Sequence, residues 1–190
     1  KAKTAVLATG FKLSDPMQKK EYGQGQVENV ITSMQMERLL APHGPYQRVI
    51  RPSDGKVPDS IAFLLCTGSR DYKVGNRLCS TVCCMYSTKE ALIAKEHAPE
   101  SAPIDATIFY IDKRAYGKDF DKYVERADRE HNIRYVRHMV SLIREDPETQ
   151  NLILRYEADD PQTGLPTMVN EEFDLVVLSV GLQPPSSNKE

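Results

Sequence analysis

Short apolar runs alternate with amphipathic stretches through the middle of the chain, and this alternation predicts its fold. The apolar runs Ser60–Leu65, Ala106–Ile111 and Ile133–Val136 are typical of buried strands. Between them, Met85–His97 and Phe120–His131 have the composition of helices, and the apolar residues of the second helix recur on one face. Strand and helix in alternation, joined by short connections, predict a parallel sheet covered by helices.

The last third of the chain has a different pattern. Val140–Arg144 and Leu152–Glu157 are extended runs separated by a polar turn that contains proline, which predicts a hairpin. Thr167–Glu172 follows as an edge strand, and the apolar run Phe173–Val180 ends at Gly181. We therefore expect an α/β fold with an added antiparallel β-hairpin layer.

The first third gives the weakest signal. Thr4–Ala8 predicts a short strand, and Ser33–Leu40 a short helix, inside an otherwise irregular stretch. Irregular segments of this length are unusual inside a compact domain. We therefore assign residues 1–57 to a strand and connector of a neighbouring domain, residues 58–186 to the α/β domain, and residues 187–190 to a frayed tail.

Composition narrows the classes of partner. The 190 residues have a formal charge of -2 and a pI near 6.1, so no global charge favours nucleic acid or an anionic membrane. No apolar run is long enough to insert into a membrane, and the first residues lack the pattern of a signal peptide. These features predict a cytoplasmic protein, in which cysteines are more often metal ligands or redox groups than disulfides.

The four cysteines all fall in one loop, between the predicted strand that ends near Leu65 and the helix that begins near Met85. They are Cys66, Cys79, Cys83 and Cys84. In α/β domains this end of the sheet is where ligands and cofactors bind. The adjacent loop Asp112–Lys118 could contact a cofactor or a partner subunit, but we interpret it as a solvent-exposed connection.

Chemistry alone leaves four interpretations of the cysteines open. Four thiolates are the ligand set of an iron–sulfur cubane. A structural zinc site is also built from thiolates, but its cysteines are usually spaced in pairs two to four apart. Cys79 and Cys83 could form a redox dithiol, although C-x-x-C is the usual spacing. The fourth interpretation is a set of inert buried thiols.

Several motifs resemble known flavoproteins. The strand ends A-T-G (Ala8, Thr9, Gly10) and S-V-G-x-x-P (with Gly181) are similar to the crossovers of two-dinucleotide-binding-domain enzymes such as thioredoxin reductase. The run C-T-G-S-R-D…G-N-R-L-C-S-T-V-C-C-M-Y, with F-Y-I-D-K-R-A-Y-G-K and F-D-L-V-V-L-S-V-G-L, resembles the A subunit of heterodisulfide reductase. That flavin and iron–sulfur protein is related to the A subunit of the quinone-interacting membrane-bound oxidoreductase. The resemblance spans nearly the whole chain but only an internal piece of the family's longer proteins.

The resemblance implies a nucleotide-binding, Rossmann-like domain of the thioredoxin-reductase type. It implies a [4Fe-4S] cluster on Cys66, Cys79, Cys83 and Cys84, at the place where ordinary reductases bind the NAD(P) pyrophosphate. In the full-length protein FAD would lie near Ala8, Thr9, Gly10 and Gly181. That protein would transfer electrons between FAD and iron–sulfur clusters for the reduction of a heterodisulfide or a related sulfur compound.

The same resemblance implies that other subunits of such a complex are the partners, and that the isolated piece, which can lose its cluster, is not catalytic by itself. Two alternatives remain. One is a cluster-free docking domain. The other is a zinc or dithiol site in a nicotinamide-dependent flavoprotein disulfide reductase, but the loop reads C-T-G-S where nicotinamide binding needs G-x-G-x-x-G.

Overall fold

The structure is a computed structural model that describes residues 2–160 and 162–185. The strands are β1 (Lys12–Leu13), β2 (Val30–Thr32), β3 (Ser60–Thr67), β4 (Asp105–Phe109), β5 (Arg134–Val136), β6 (Val140–Glu145), β7 (Leu152–Asp159), β8 (Pro166–Phe173), β9 (Leu175–Val180) and β10 (Leu182–Gln183). The helices are α1 (Ser33–Leu40), α2 (Cys83–Glu96) and α3 (Phe120–Arg129), with 3-10 turns at Pro16–Gln18 and Lys20–Tyr22.

A parallel sheet of five strands, in the order β2-β9-β3-β4-β5, forms the centre of the molecule. Phe63 of β3 lies between Ile108 of β4 and Val177 of β9. Both faces of β3 and β9 are covered, which explains why their sequences are continuous apolar runs. The predicted α/β class is confirmed.

The three helices cover one face of this sheet. Their buried side chains pack on Ile61, Phe63 and Leu65 of β3. Helix α1 begins with a capping box, in which Thr32 Oγ1 accepts a hydrogen bond from Gln35 N (3.4 Å) and Gln35 Oε1 accepts one from Thr32 N (2.8 Å). Helix α2 packs against both other helices and against β3.

An antiparallel sheet of β6, β7 and β8 covers the opposite face. Leu152 and Leu154 of β7 enter the same apolar cluster as Ala62 and Leu64 of β3. Burial alternates along the first part of β7, as expected for a strand with one solvated face. The predicted hairpin and the added antiparallel layer are therefore confirmed.

The prediction of a strand at Thr4–Ala8 is wrong. These residues have no strand structure and are exposed, with Val6 and Leu7 each 88% accessible. An apolar run forms a strand only where another strand pairs with it. Among the described residues, pairing at this end of the chain begins at Lys12, which lies opposite Gln183.

Strand β2 was not predicted, because three residues at the edge of a sheet give little periodic signal. It pairs with β9, and Leu40 and Val49 join the core of the helix-covered face. The assignment of residues 1–57 to a neighbouring domain stays a prediction. The predicted tail 187–190 lies outside the described residues. Within the described ranges, no helix has the length and apolar character needed to cross a membrane.

Candidate functional site

The four cysteines line one small pocket at the carboxyl edge of the parallel sheet. Cys66 lies at the end of β3, Cys79 lies in the loop, and Cys83 and Cys84 form the first turn of α2. The helix begins two residues earlier than predicted, so two thiols sit on a helix end. The lining side chains nearly fill the pocket, since its free volume is about 10 Å³. The cysteine clustering seen in the sequence thus corresponds to a real convergence in space.

A backbone irregularity in β3 directs Cys66 to this pocket. Its φ angle of +62° is left-handed, and the pairing register with β9 shifts between Leu64 and Thr67. Side chains alternate between the faces of a regular strand, but Leu65 and Cys66 both join the core of the helix-covered face. The irregularity therefore places the Cys66 thiol beside Cys83, as bulges near functional sites do.

Short polar contacts fix the loop that carries Cys79. Asn76 Nδ2 donates a hydrogen bond to the carbonyl oxygen of Gly68 (2.8 Å), and Ser69 Oγ and Ser80 Oγ share one of 2.6 Å. Ser80 Oγ also accepts a hydrogen bond from Leu182 N in β10 (2.8 Å). The loop is consequently held against the strand that follows Gly181.

Backbone amides point at two of the sulfurs. Thr81 N donates to Cys79 Sγ, and Arg114 N donates to Cys84 Sγ, each at 3.3 Å. Cys83 and Cys84, the first two residues of helix α2, line the pocket, so the positive end of the helix dipole also faces it. Amide donors and a helix N-terminus both stabilise thiolates or the anionic sulfurs of a cluster.

Charged side chains close the far wall of the pocket. Asp112 accepts hydrogen bonds from Arg70 Nη1 (2.5 Å) and Arg114 Nε (3.1 Å). Burial acts to raise the pKa of Asp112, but the hydrogen bonds from Arg114 and Arg70 outweigh it and hold that pKa below its usual value. The wall thus carries two guanidinium groups against one carboxylate, which favours a ligand with negative charge.

The contacts of Asp112 and Arg114 correct the interpretation of 112–118 as a merely solvent-exposed loop. Both residues line the cysteine pocket. The signal that could have located them is their position directly after β4, because the carboxyl ends of neighbouring parallel strands meet at one edge of a sheet.

Burial keeps three of the four thiols protonated. It raises the pKa of the Cys66 thiol to about 12, and it also raises the pKa values of Cys83 and Cys84. At neutral pH these groups therefore hold their protons until a metal displaces them, because metals bind thiolates.

The donor set fits an iron–sulfur cluster. Four thiols surround one pocket, with amide donors and guanidinium groups beside them. In a cubane each cysteine binds a different iron, so the thiols enclose the cluster and do not meet at a single point. In the part of the chain that the structure describes, no three His, Cys, Asp or Glu side chains are placed to hold a single metal ion.

The segments that end at Gly10 and at Gly181 lie in different environments. At Gly181 a Cβ atom would lie 1.9 Å from Ser69 Oγ and 2.9 Å from Ser80 Oγ, so only glycine fits beside the cysteine loop. Ala8, Thr9 and Gly10 lie on an exposed stretch before β1, and the φ angle of Gly10 is +74°. Pairing of β1 with β10 brings the two segments to the same edge of the molecule.

A second cavity, of about 350 Å³, lies between α1, α2 and this edge. Its apolar walls include Phe11 and Leu13 from the segment that follows Gly10. They also include Val180 and Leu182, which flank Gly181. Tyr86 lines it too, and donates a hydrogen bond to the carbonyl oxygen of Val180 (3.1 Å). Since Tyr86 follows the cysteines at the start of α2 within one helical turn, the cavity adjoins the cysteine pocket.

One acidic residue of this cavity is buried, which the sequence pattern did not indicate. Glu90 is 2% exposed, and within the described residues its Oε2 atom has no hydrogen-bond partner. Burial, with a contribution from Glu37, raises the pKa of Glu90 to about 9. At neutral pH it is therefore an uncharged carboxylic acid.

Comparison with known proteins gives relatives along nearly the whole chain. It is 48% identical over 183 residues to an iron–sulfur A subunit of CoB–CoM heterodisulfide reductase from Methanopyrus kandleri, covering 96% of this chain and 27% of that protein. It is 43% identical over 189 residues to the corresponding protein of Methanocaldococcus jannaschii, covering 99% and 28%. It is 42% identical over 181 residues to the A subunit of a ferredoxin/F420H2-dependent CoB–CoM heterodisulfide reductase from Methanosarcina acetivorans, covering 94% and 22%. No family model matches the chain.

These relatives are A subunits of heterodisulfide reductases. The resemblance inferred from the motifs is thereby confirmed, and the chain belongs to the family of heterodisulfide reductase A subunits. It spans only about a quarter of the length of the curated relatives it matches.

Proposed function

We propose that this chain is the part of a heterodisulfide-reductase-like A subunit that holds a [4Fe-4S] cluster between a flavin and partner subunits. Cys66, Cys79, Cys83 and Cys84 are the four ligands. The observation that carries the proposal is the convergence of all four thiols on one pocket edged by amide donors and guanidinium groups. The names of its relatives describe iron–sulfur subunits of the same enzyme.

When bound, such a cluster supplies a one-electron redox centre. The chain's own residues have three tasks around it. The thiols give up their protons on loading, the amides of Thr81 and Arg114 donate to sulfur, and the Arg70–Asp112–Arg114 wall offsets negative charge. Burial of Cys66 and Cys83 keeps water away from one side of the pocket.

We place FAD beside the second cavity, next to Ala8, Thr9, Gly10 and Gly181. Support comes from the pairing of β1 with β10 and from Tyr86, which lines that cavity and contacts the Cys83 thiol. Residues 1–57 would then also serve a neighbouring flavin domain, and electrons would pass between FAD and the clusters to reduce a heterodisulfide or a related sulfur compound. The other subunits of such a complex are the proposed partners, and the cytoplasm is the proposed location.

Iron and sulfide analysis of protein purified and reconstituted without oxygen tests the cluster. We expect about four irons and four sulfides per chain and a visible absorption that dithionite bleaches. Cys83→Ser and Cys84→Ser should each lose most of this iron. Ser87→Ala, one turn further along the same helix, should keep it, because Ser87 contacts Ser179 and not the pocket. Full iron in both cysteine variants would overturn the assignment.

A further inference from the structure

A long groove runs between α2 and α3 on the solvent side of the helix layer. Its volume is about 1060 Å³. Met85 and Tyr86 form one wall, and Phe120 and Tyr123 form the other. Pockets for small molecules are usually about 300–1,000 Å³. The groove therefore lies at the upper limit of that range, so its charge and its position, and not its size, indicate what it binds.

The groove has a net positive charge, whereas the whole chain has a net negative charge. Four cationic side chains and two acidic ones line it, an excess of two positive charges, whereas the whole chain has a formal charge of -2. The cationic side chains are Lys89, Lys118, Lys122 and Arg126, and the acidic ones are Asp119 and Glu130.

Some of this positive charge is not offset within the chain. Lys122 Nζ pairs with Asp119 Oδ1 at 2.9 Å, and Lys89 Nζ pairs with Glu37 Oε1, which lies outside the groove, at 3.8 Å. Arg126 lies over the ring of Tyr123 at 5.3 Å from its centroid. Across residues 2–160 and 162–185, neither Lys118 nor Arg126 has an acidic partner within ion-pair distance. An acidic surface is therefore the complementary partner.

The groove begins where the cysteine pocket ends. Thr81 lines both, and Val82 and Met85 continue the groove along α2 immediately after it. Phe120 remains 42% exposed at the other wall. Any protein seated there would lie directly beside the cysteines, as a partner that exchanges electrons with them must.

We propose that this groove is the docking site for the acidic surface of an electron-carrier protein. The aromatic and Met side chains provide the apolar centre of the interface, and the lysines and Arg126 provide its charged rim. The purpose of the docking rests on the proposed function, but the interaction itself depends only on the groove.

The test is a calorimetric titration of the chain with an acidic two-cluster ferredoxin as the probe, at low and at physiological salt. Binding should weaken as salt rises. The double variant Lys118→Glu with Lys122→Glu should weaken binding about tenfold or more and reduce its dependence on salt. Arg129→Glu is the matched control, since Arg129 is exposed on the same helix but does not line the groove. It should leave binding unchanged.

Three results would overturn the docking proposal. The first is equal binding by the double variant and the wild type. The second is tighter binding of basic cytochrome c than of the acidic probe. The third is a groove filled by a second copy of the chain, seen as a dimer in sedimentation that the double variant abolishes.

The outcomes also separate this proposal from the proposed function. Cys83→Ser should lose iron and still bind the probe, because the groove does not include that residue. Normal iron content with no binding of the acidic probe would remove the docking site alone. Binding that depends on Lys118 and Lys122 in a chain that cannot form a cluster would remove the electron-transfer account and keep the surface.

Discussion

The two faces of the central sheet are covered by layers of different character. The antiparallel layer packs Leu152 and Leu154 on β3 and β9 in regular alternation, and its core contains no thiol among the described residues. The helix layer contains Cys66 and Cys83 in its core and the uncharged acid Glu90. Residues whose backbone conformation or burial costs free energy are thus concentrated in the layer that contains the cysteines.

The two layers therefore contribute to different properties of the domain, one to its stability and the other to its chemistry. Regular apolar packing lowers the free energy of the folded chain, while left-handed backbone at Cys66 and a buried carboxylic acid both raise it. The antiparallel layer should therefore determine how stable the domain is. The helix layer should determine what it binds.

The largest expected effect is in the antiparallel layer. Leu154→Ala removes a side chain that is fully buried, so we expect a loss of about 2–5 kcal/mol in the free energy of unfolding. Arg155→Ala, exposed on the same strand, should change it by less than about 0.5 kcal/mol. Urea denaturation measures both. The iron content of folded Leu154→Ala protein should equal that of the wild type. A loss of iron would contradict the claim that the antiparallel layer determines stability and not binding.

The next effect concerns Glu90 and pH. The unfolded carboxyl group loses its proton near its ordinary pKa of 4.5, and the folded one near 9. Between these values the folded state holds one more proton, so stability falls as pH rises, by about 1.4 kcal/mol per pH unit. From about pH 6 to about pH 8 we expect a loss of about 2–3 kcal/mol that Glu90→Gln abolishes.

Glu96→Gln is the control for this pH dependence. It makes the same change at an exposed position in the last turn of the same helix, and it should keep the wild-type slope. Denaturation curves at a series of pH values measure the slope. An unchanged slope in Glu90→Gln would mean that Glu90 does not hold a proton in the folded chain.

A smaller effect is expected where β9 meets the cysteine loop. Gly181→Ala would place a methyl group against Ser69 Oγ, and overpacking of this kind costs about 1–3 kcal/mol. Ser69→Ala removes that oxygen and should recover part of the loss in the double variant. Thermal denaturation of the wild type, the two single variants and the double variant gives the coupling free energy between the two positions. Additive effects of the two substitutions would show that the loop is not held against Gly181.

The smallest effect on stability is expected at Cys66 itself. Glycine accepts a φ angle of +62° more easily than cysteine, which offsets the loss of a buried thiol. Cys66→Gly should therefore change the unfolding free energy of the metal-free chain by about 1 kcal/mol or less, while removing its iron. A large loss of stability with retained iron would show that Cys66 is a core residue and not a ligand.

Hydrophobic pattern was sufficient to predict the packed layers. β3, β4, α3 and the hairpin were predicted because each has a continuous or periodic apolar run, and the clustered cysteines predicted one site. The pattern could not predict β2, which is held by its neighbour β9, or the burial of Glu90, which depends on packing between α1 and α2. The left-handed turn at Cys66 and the approach of Arg114 to Cys84 arise from tertiary structure, which a single sequence does not encode locally.

Native mass spectrometry of the chain, purified and reconstituted without oxygen, tests the central claim most directly. We predict a mass increase of one Fe4S4 unit per chain, lost together with iron in Cys66→Ser, Cys79→Ser, Cys83→Ser and Cys84→Ser. A mass increase of one zinc ion, or a decrease of two hydrogens from a disulfide, would contradict it.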